Sequence, residues 1–496
     1  MYICTKSDFV KLLWLDINCS YAHASLALSA LHAQCGDAEA EWDAIPATLS
    51  TPVGTLVAQI IEKKPDIIAA TAWLFTRDYL LNALARAKAL LPECTIVLGG
   101  PEFLGENEGF LRRNQEVDAV FRGEGEQMFP EWLKTAGDRA GWRGITGFCF
   151  LDEHDVYRDG GLARVVDFAA LKPPENSRFF NWSKPFVQLE TTRGCFNSCT
   201  FCVSGAEKPV RTIPLEKVRE RIERIYTCGI REIRLLDRTF NGDTRRAIAL
   251  IGLFQTFPEM RFHLEIHPAL LPDELRKLLA GLPDNLLHVE AGIQSLREPV
   301  LKACKRAGKL DDALDGLRFL CGLRNMETHA DLIVGLPLYA LGQIFEDIRT
   351  LASFGAGEIQ LELLKVLPGT AMHRNAQALG LVYAPVPPYE ILKTNETSVA
   401  DIQTGRLLSR LLDFYYNARA WKSVVRQLIL DEPGFLPAFL LWMRRGEHLE
   451  QPLSVEKRGL LLYEFIAKSM PGRATVVEEA WKNAGLSLRK IERFRK

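Results

Sequence analysis

From residue 186 to residue 364 the chain repeats one pattern. A short apolar run that reads as a strand is followed by a longer amphipathic stretch that reads as a helix. The strand-like runs are residues 186–189, 232–236 (EIRLL), 261–266 (RFHLEI), 287–293 (LHVEAGI), 327–334 (ETHADLIV) and 358–364 (EIQLELL). Helical periodicity marks 215–228, 245–256, 273–279, 298–305, 310–321 and 341–354. Strands joined through helices lie parallel, with right-handed crossovers. Six units are two short of a closed (β/α)8 barrel, so the spacing predicts an open, partial (β/α)6 TIM barrel.

The first third carries a second such series. Residues 12–17 (LLWLDI), 66–72 (DIIAATA), 95–98 (TIVL) and 118–121 (DAVF) read as strands, and 23–35, 79–91 and 128–135 as helices. This predicts a doubly wound parallel sheet covered on both faces. Glycines gather at its strand ends, where open α/β sheets place their ligands. Residues 152–180 are polar and turn-rich and read as a linker. After about residue 383 the strands stop and only helical patterns follow. The expected organisation is α/β: residues 1–150, a linker at 151–180, the barrel at 181–382 and an α-helical domain at 383–496. A length of 496 residues suits about three domains.

At 47% hydrophobic and 25% charged the composition excludes disorder and fibrous classes. A net charge of −1 provides no global pull toward nucleic acid or anionic membrane. The basic last segment, LRKIERFRK, reads as a solvated helix end. No signal peptide pattern opens the chain, and no apolar run reaches the ~18 residues of a membrane helix. A soluble cytoplasmic protein without membrane or nucleic-acid partners is expected.

The 11 cysteines are too sparse for a disulfide scaffold. One group is tight: Cys195, Cys199 and Cys202, on a loop after the first barrel strand. Three soft thiolates there can hold zinc, copper(I) or iron–sulfur. A structural zinc normally takes four protein ligands, and no second pair follows. Three ligands on a four-iron cluster leave one iron open. Zinc or plain core cysteines are the competing readings.

The CxxxCxxC spacing, with Phe201 before the last cysteine, resembles the signature of radical S-adenosylmethionine (SAM) enzymes. The resemblance implies that Cys195, Cys199 and Cys202 bind a 4Fe–4S cluster whose fourth iron is chelated by SAM, and that Phe201 lies by the adenine. It also implies SAM contacts from Asp237, which follows the second strand, and from Glu290, Gln294 and Ser295, which resemble the family's EIGIQS stretch. Val334 in DLIVGLP and Leu367 in LKVLPGT resemble segments near the adenine. His263, Glu265 and His267, spaced by two, can face the barrel interior and are candidate substrate contacts.

Gly99-Gly100-Pro101-Glu102 and Gly123-Glu124-Gly125-Glu126, on an α/β unit ahead of such a barrel, resemble the cobalamin-binding domain of B12-dependent radical SAM enzymes. Glycines there are expected to let the backbone approach the cobalamin tail. The DxHxxG loop of other B12 proteins is missing around residues 18–25 (NCSYAHAS), where His23 has the wrong spacing. Cobalamin is therefore expected without a histidine on cobalt. Trp73 and Phe75 would lie under the corrin, with Tyr21 near the tail. The helical C-terminal domain resembles that of a subgroup in which its role is poorly defined. It is expected to cap the barrel mouth, with Tyr415, Tyr416 and Trp421 as candidate contacts.

The resemblance implies an enzyme that cleaves SAM reductively to a 5′-deoxyadenosyl radical and methylates an unactivated carbon of a small molecule via methylcobalamin, as a class B-type C-methyltransferase. A rearrangement or oxidation without methyl transfer is the alternative, ahead of a methylthiotransferase or a non-catalytic sensor. An external electron donor such as flavodoxin or ferredoxin is expected.

Overall fold

The computed structural model describes residues 10–19, 25–37, 39–136, 138–487 and 491. The candidate Tyr21, together with His23 and most of the basic tail, lies outside the described residues.

The first sheet has seven strands: β1 Val10–Asn18, β2 Ala40–Thr48, β3 Ile67–Thr71, β4 Thr95–Gly99, β5 Ala119–Phe121, β6 Phe148–Leu151 and β7 Tyr157–Asp159. Their spatial order is β2-β1-β3-β4-β5-β6-β7. The first five are parallel, and β6 and β7 return antiparallel. Alternation along β1 sends Leu13 and Leu15 to one apolar cluster and Leu12 and Trp14 to the other, so the sheet is buried on both faces. The chain reverses its direction of travel between β1 and β3, which opens a crevice at the strand C-termini. Strand β2 went unpredicted: AEWDAIPAT has no continuous apolar run and holds Pro46. It pairs with β1 alone, an edge position where proline is tolerated. Strand β7 lies inside the stretch expected to be linker. A polar run can complete a sheet when it pairs only at the edge, as Tyr157–Asp159 does with β6.

The second sheet contains β8 Val187–Leu189, then, past the short pair β9 Thr192–Arg193 and β10 Arg211–Thr212, β11 Glu232–Leu235, β12 Arg261–Ile266, β13 Leu287–Gln294, β14 Glu327–Val334 and β15 Glu358–Leu363. Its order is β15-β14-β13-β12-β11-β8, all parallel. This is the expected open (β/α)6 barrel. On β12, Phe262, Leu264 and Ile266 face the helices, while His263 and Glu265 point the other way.

Two expectations for the C-terminal region are corrected. Strands do not stop at residue 383, because β16 Val382–Tyr383 pairs with β17 Ile391–Lys393. The helices do not make a separate cap over the mouth. Their apolar core is continuous with that of the barrel. The Asn417 side chain accepts from Ile359 N–H (3.0 Å) and donates to Ile359 C=O (3.1 Å), both on the free edge of β15. Tyr415, Tyr416 and Trp421 are at most 1% exposed and belong to this core, not to a pocket wall. Among the described residues no helix is long and apolar enough to cross a membrane.

Candidate active site

The cysteine loop follows β8 and is held from below by Asp237. This carboxylate is fully buried and accepts from Thr191 N–H (2.7 Å), Thr192 N–H (3.0 Å) and the Thr191 hydroxyl. Burial raises its pKa. Asp237 was expected to contact SAM; its oxygens instead hold the turn that launches the loop. Arg246 clamps the same turn through the Thr191 and Ile213 carbonyls. Two glycines let the loop close. A Cβ on Gly194 (φ +96°) would lie 2.6 Å from Glu207 O, and one on Gly205 would lie 2.4 Å from Cys199 O.

Cys195 and Cys199 are buried and Cys202 is half-buried. Burial raises the thiol pKa values of Cys199 and Cys202. Arg306, with Nη1 3.8 Å from Cys199 Sγ, and Arg238 near Cys202 oppose that rise and favour thiolates. Two thiolates on one zinc sit at most about 4.6 Å apart, twice the Zn–S bond. Among the described residues only one trio of ligand atoms lies within 4.8 Å throughout, and it is not the cysteines. The three thiols are therefore not all gathered around one point as a single ion would need. Phe201 packs half-buried against the barrel core.

Inside the barrel, carboxylates from adjacent strands face one another. Burial pushes the Glu265 pKa up to about 7. Asp331, on β14, is raised well above the usual range by burial and by neighbouring Glu290 and Glu265, and its Oδ1 is buried without a partner. A hydrogen bond from His263 holds Glu290 below the usual range. Gln294 has φ +71° after a bulge that breaks the register beyond Gly292. Its Nε2, with Arg306 and Asp331, crowds around Gly292. Here an ionised carboxylate, a protonated one and an unfilled acceptor meet, which suits a ligand carrying N–H groups and positive charge. Asp331 and Arg306 had not been singled out. Only the polar residue within an apolar strand motif hinted at the first, and nothing local to its sequence at the second.

Other candidates are placed elsewhere. Ser295 is fully buried and accepts from Arg297 N–H (3.2 Å), so it caps a turn. The Val334 side chain is buried and packs toward Gly405 of the helix Val399–Leu411. Leu367 is half-buried and its carbonyl accepts from Thr370 N–H (3.3 Å) and Oγ1 (2.8 Å). His267 directly follows β12 and lies beside Phe196 of the cysteine loop. Burial lowers its pKa to about 3, and its Nε2 is buried without a partner. His263 faces His288 and Glu290 rather than the mouth.

A cavity of about 1080 Å³ lies between the two sheets. Drug-sized ligand pockets run to roughly 300–1,000 Å³, so it is large. Gly99, Gly100, Pro101 and Gly123 line it from the first sheet, and Gly194, Val203 and Arg238 from the barrel. Trp73 and Phe75 also line it and are 40% and 54% exposed, unusually bare for large apolar side chains. The walls are tied together by ion pairs. Arg211 binds Glu124 through two bonds (2.6 and 2.7 Å), and Arg193 reaches Glu126 (2.9 Å) and Glu190 (2.6 Å). Burial alone would raise the Glu124 pKa, but Arg211, Val165 N–H and Arg193 hold it down. Glu124 therefore joins domains while lining the cavity. Glu102 is off the cavity wall: it accepts from Tyr389 Oη (2.8 Å) and faces Arg77 (3.5 Å). No histidine lies among the described residues lining the cavity.

Comparisons with known proteins agree with this architecture. Residues 15–133 match the family model "B12 binding domain", 189–351 "Radical SAM superfamily", and 377–480 "Protein of unknown function (DUF4080)". The chain thus joins a stretch that matches the B12 binding domain to one that matches the radical SAM superfamily. Its cofactors are a 4Fe–4S cluster, SAM and cobalamin. The residues fit these groups: three spaced thiols, a polar barrel mouth and a large apolar cavity. The "Uncharacterized methyltransferase PH0819" of Pyrococcus horikoshii is 29% identical over 39% of this chain and 44% of its own. A tRNA-2-methylthio-N(6)-dimethylallyladenosine synthase of Acinetobacter baumannii is 27% identical over 52% of this chain and 53% of its own. The cobalamin-dependent radical SAM methyltransferase TokK of Streptomyces tokunonensis is 22% identical over 66% and 50%. The chain thus spans about half the length of the curated relatives it matches. The methyltransferase TsrM of Kitasatospora setae, solved with cobalamin and a 4Fe–4S cluster, shares the fold: TM-score 0.63, 16% identity, 96% of this chain and 99% of that one.

Proposed function

We propose that this chain is a methyltransferase that builds a C–CH3 bond on an unactivated carbon of a small molecule. The observation that carries the reading is the shared cavity. The glycine loops of the first sheet and both ends of the cysteine loop open onto the same space. A methyl carrier and a radical source could there address one substrate.

In this reading Cys195, Cys199 and Cys202 hold the cluster. Glu265, Glu290, Asp331 and Gln294 take the SAM amino and ribose groups, with Phe201 and the backbone at Val334 and Leu367 near the adenine. Trp73, Phe75, Gly99, Gly100, Pro101 and Gly123 would seat cobalamin, on a wall without histidine among its described residues. When bound, the cluster supplies the electron that cleaves SAM and cobalamin carries the methyl group. The chain orients these groups. Arg306 and Arg238 balance thiolate charge, Glu290 offers one negative charge to cationic SAM, and the walled cavity excludes water from the substrate radical. His267, with its unpartnered Nε2, remains a candidate substrate contact. An external electron donor such as flavodoxin or ferredoxin completes the cycle.

The test is anaerobic turnover with SAM labelled in its methyl group. Cys199→Ala is expected to abolish 5′-deoxyadenosine formation. Normal 5′-deoxyadenosine from that variant would overturn the assignment. Rearrangement or oxidation with the same cofactors is the second reading, and label in the product decides between them. The synthase match also favours weighing methylthiolation. That chemistry needs a second set of thiol ligands, and Cys19, Cys35 and Cys94 are scattered along the first domain.

A further inference from the structure

A second cluster of donors sits at the other end of the barrel. In a parallel sheet the strand C-termini share one face, and the cysteine loop is there. His288 is the second residue of β13, Glu327 and His329 the first and third of β14, and Glu358 the first of β15. Register brings them together: His288 lies opposite Glu327, and His329 opposite Glu358. The two Nε2 atoms share a hydrogen bond at 2.7 Å, Glu358 Oε2 is 3.6 Å from His329 Nε2, and a Glu327 oxygen is within 4.8 Å of a ring nitrogen of each histidine.

The surroundings orient the rings. Ionised Glu290 accepts from His263 Nε2–H at 3.2 Å. His263 Nδ1 is then bare and accepts from His288 Nδ1–H, also at 3.2 Å. That leaves His288 Nε2 as a lone pair, which in the metal-free protein accepts from His329 Nε2 at 2.7 Å. Metal-binding histidines are held in this way, the second nitrogen donating to a partner that ends on a carboxylate. On the other side His329 Nδ1 meets the Gln360 amide at 3.2 Å. The amide nitrogen donates to Nδ1, so in the metal-free protein His329 Nε2–H donates to His288 Nε2; a metal would displace that one proton, with the amide turned to present its oxygen to Nδ1–H. Burial lowers the His288 pKa to about 3 and lowers that of His329, so both rings are neutral at pH 7, the form a metal needs. Arg261 (3.8 Å) and Lys422 (3.9 Å) also approach Glu327 and would give way on binding. Glu327 and Glu358 have 54% and 32% exposed side chains, which leaves an entry path.

We propose that His288, His329, Glu327 and Glu358 form a site for a divalent transition metal, separate from the iron–sulfur loop. Two imidazoles and two carboxylates suit Zn2+ in four-coordinate geometry. The ion would tie together the entry ends of three adjacent strands.

The test uses the full chain with Cys195, Cys199 and Cys202 all changed to Ala, stripped with chelator and titrated with Zn2+ alone, then with Co2+. The expected result is one Zn2+ per chain, and Co2+ bands of a four-coordinate site without sulfur charge transfer. His288→Gln and His329→Gln are expected to weaken binding at least 100-fold. His263→Ala is expected to weaken it about 10–100-fold through lost orientation. Circular dichroism of the metal-free variants checks their fold. Where the cysteine-free chain does not fold, zinc is counted in the cluster-loaded parent and in its His288→Gln variant. Absence of micromolar binding, or binding unchanged in the Gln variants, would overturn the proposal.

Discussion

At Gly123 the backbone has φ +104°, and a Cβ would lie 2.2 Å from Ala163 O. At Gly100, with φ +110°, it would lie 2.8 Å from Ala72 O. The sequence reading took these glycines as room for a cofactor. The structure gives them a prior duty, letting a cavity loop cross its neighbouring backbone. Gly161 (φ +79°) has nothing within 4 Å and serves as the control. Gly161→Ala is expected to cost only the conformational strain, about 1–2 kcal/mol. Gly123→Ala adds overpacking and is expected to cost about 2–5 kcal/mol in denaturant unfolding. Equal costs would show that no clash exists. Asp237 teaches the same lesson: polar type and position in the strand were legible, but its three donors come from residues 45 or 46 positions away.

Among elements, the barrel strands were readable because each is an apolar run bounded by a helix of different period. Strand β12 appears at its expected bounds, Arg261–Ile266. Strands β2, β7, β16 and β17 were not readable, because edge pairing asks little of side chains and leaves no apolar signature. The edge of β15 is the telling case. At Ile359 both backbone groups are satisfied by one side chain, Asn417, 58 residues away in sequence. Asn417→Ala leaves an N–H and a C=O without partners and is expected to cost about 1–3 kcal/mol. Urea denaturation checks this, and an unchanged midpoint would mean that water replaces the amide at no cost.

Across the whole molecule, the sequence located the cysteine loop and the glycine loops but not the space between them. That space depends on the Glu124–Arg211 and Glu126–Arg193 pairs, which join residues more than 60 positions apart. It also depends on Trp73 and Phe75 being left bare. The central claim is that one cavity serves cobalamin on one wall and the cluster on the other. The direct measurement is the iron and cobalt content of the anaerobically reconstituted chain, with electron paramagnetic resonance of its Co(II) form. The account predicts one four-iron cluster and one cobalamin per chain, without histidine nitrogen coupling on cobalt. A chain that takes the cluster but never binds cobalamin would contradict it.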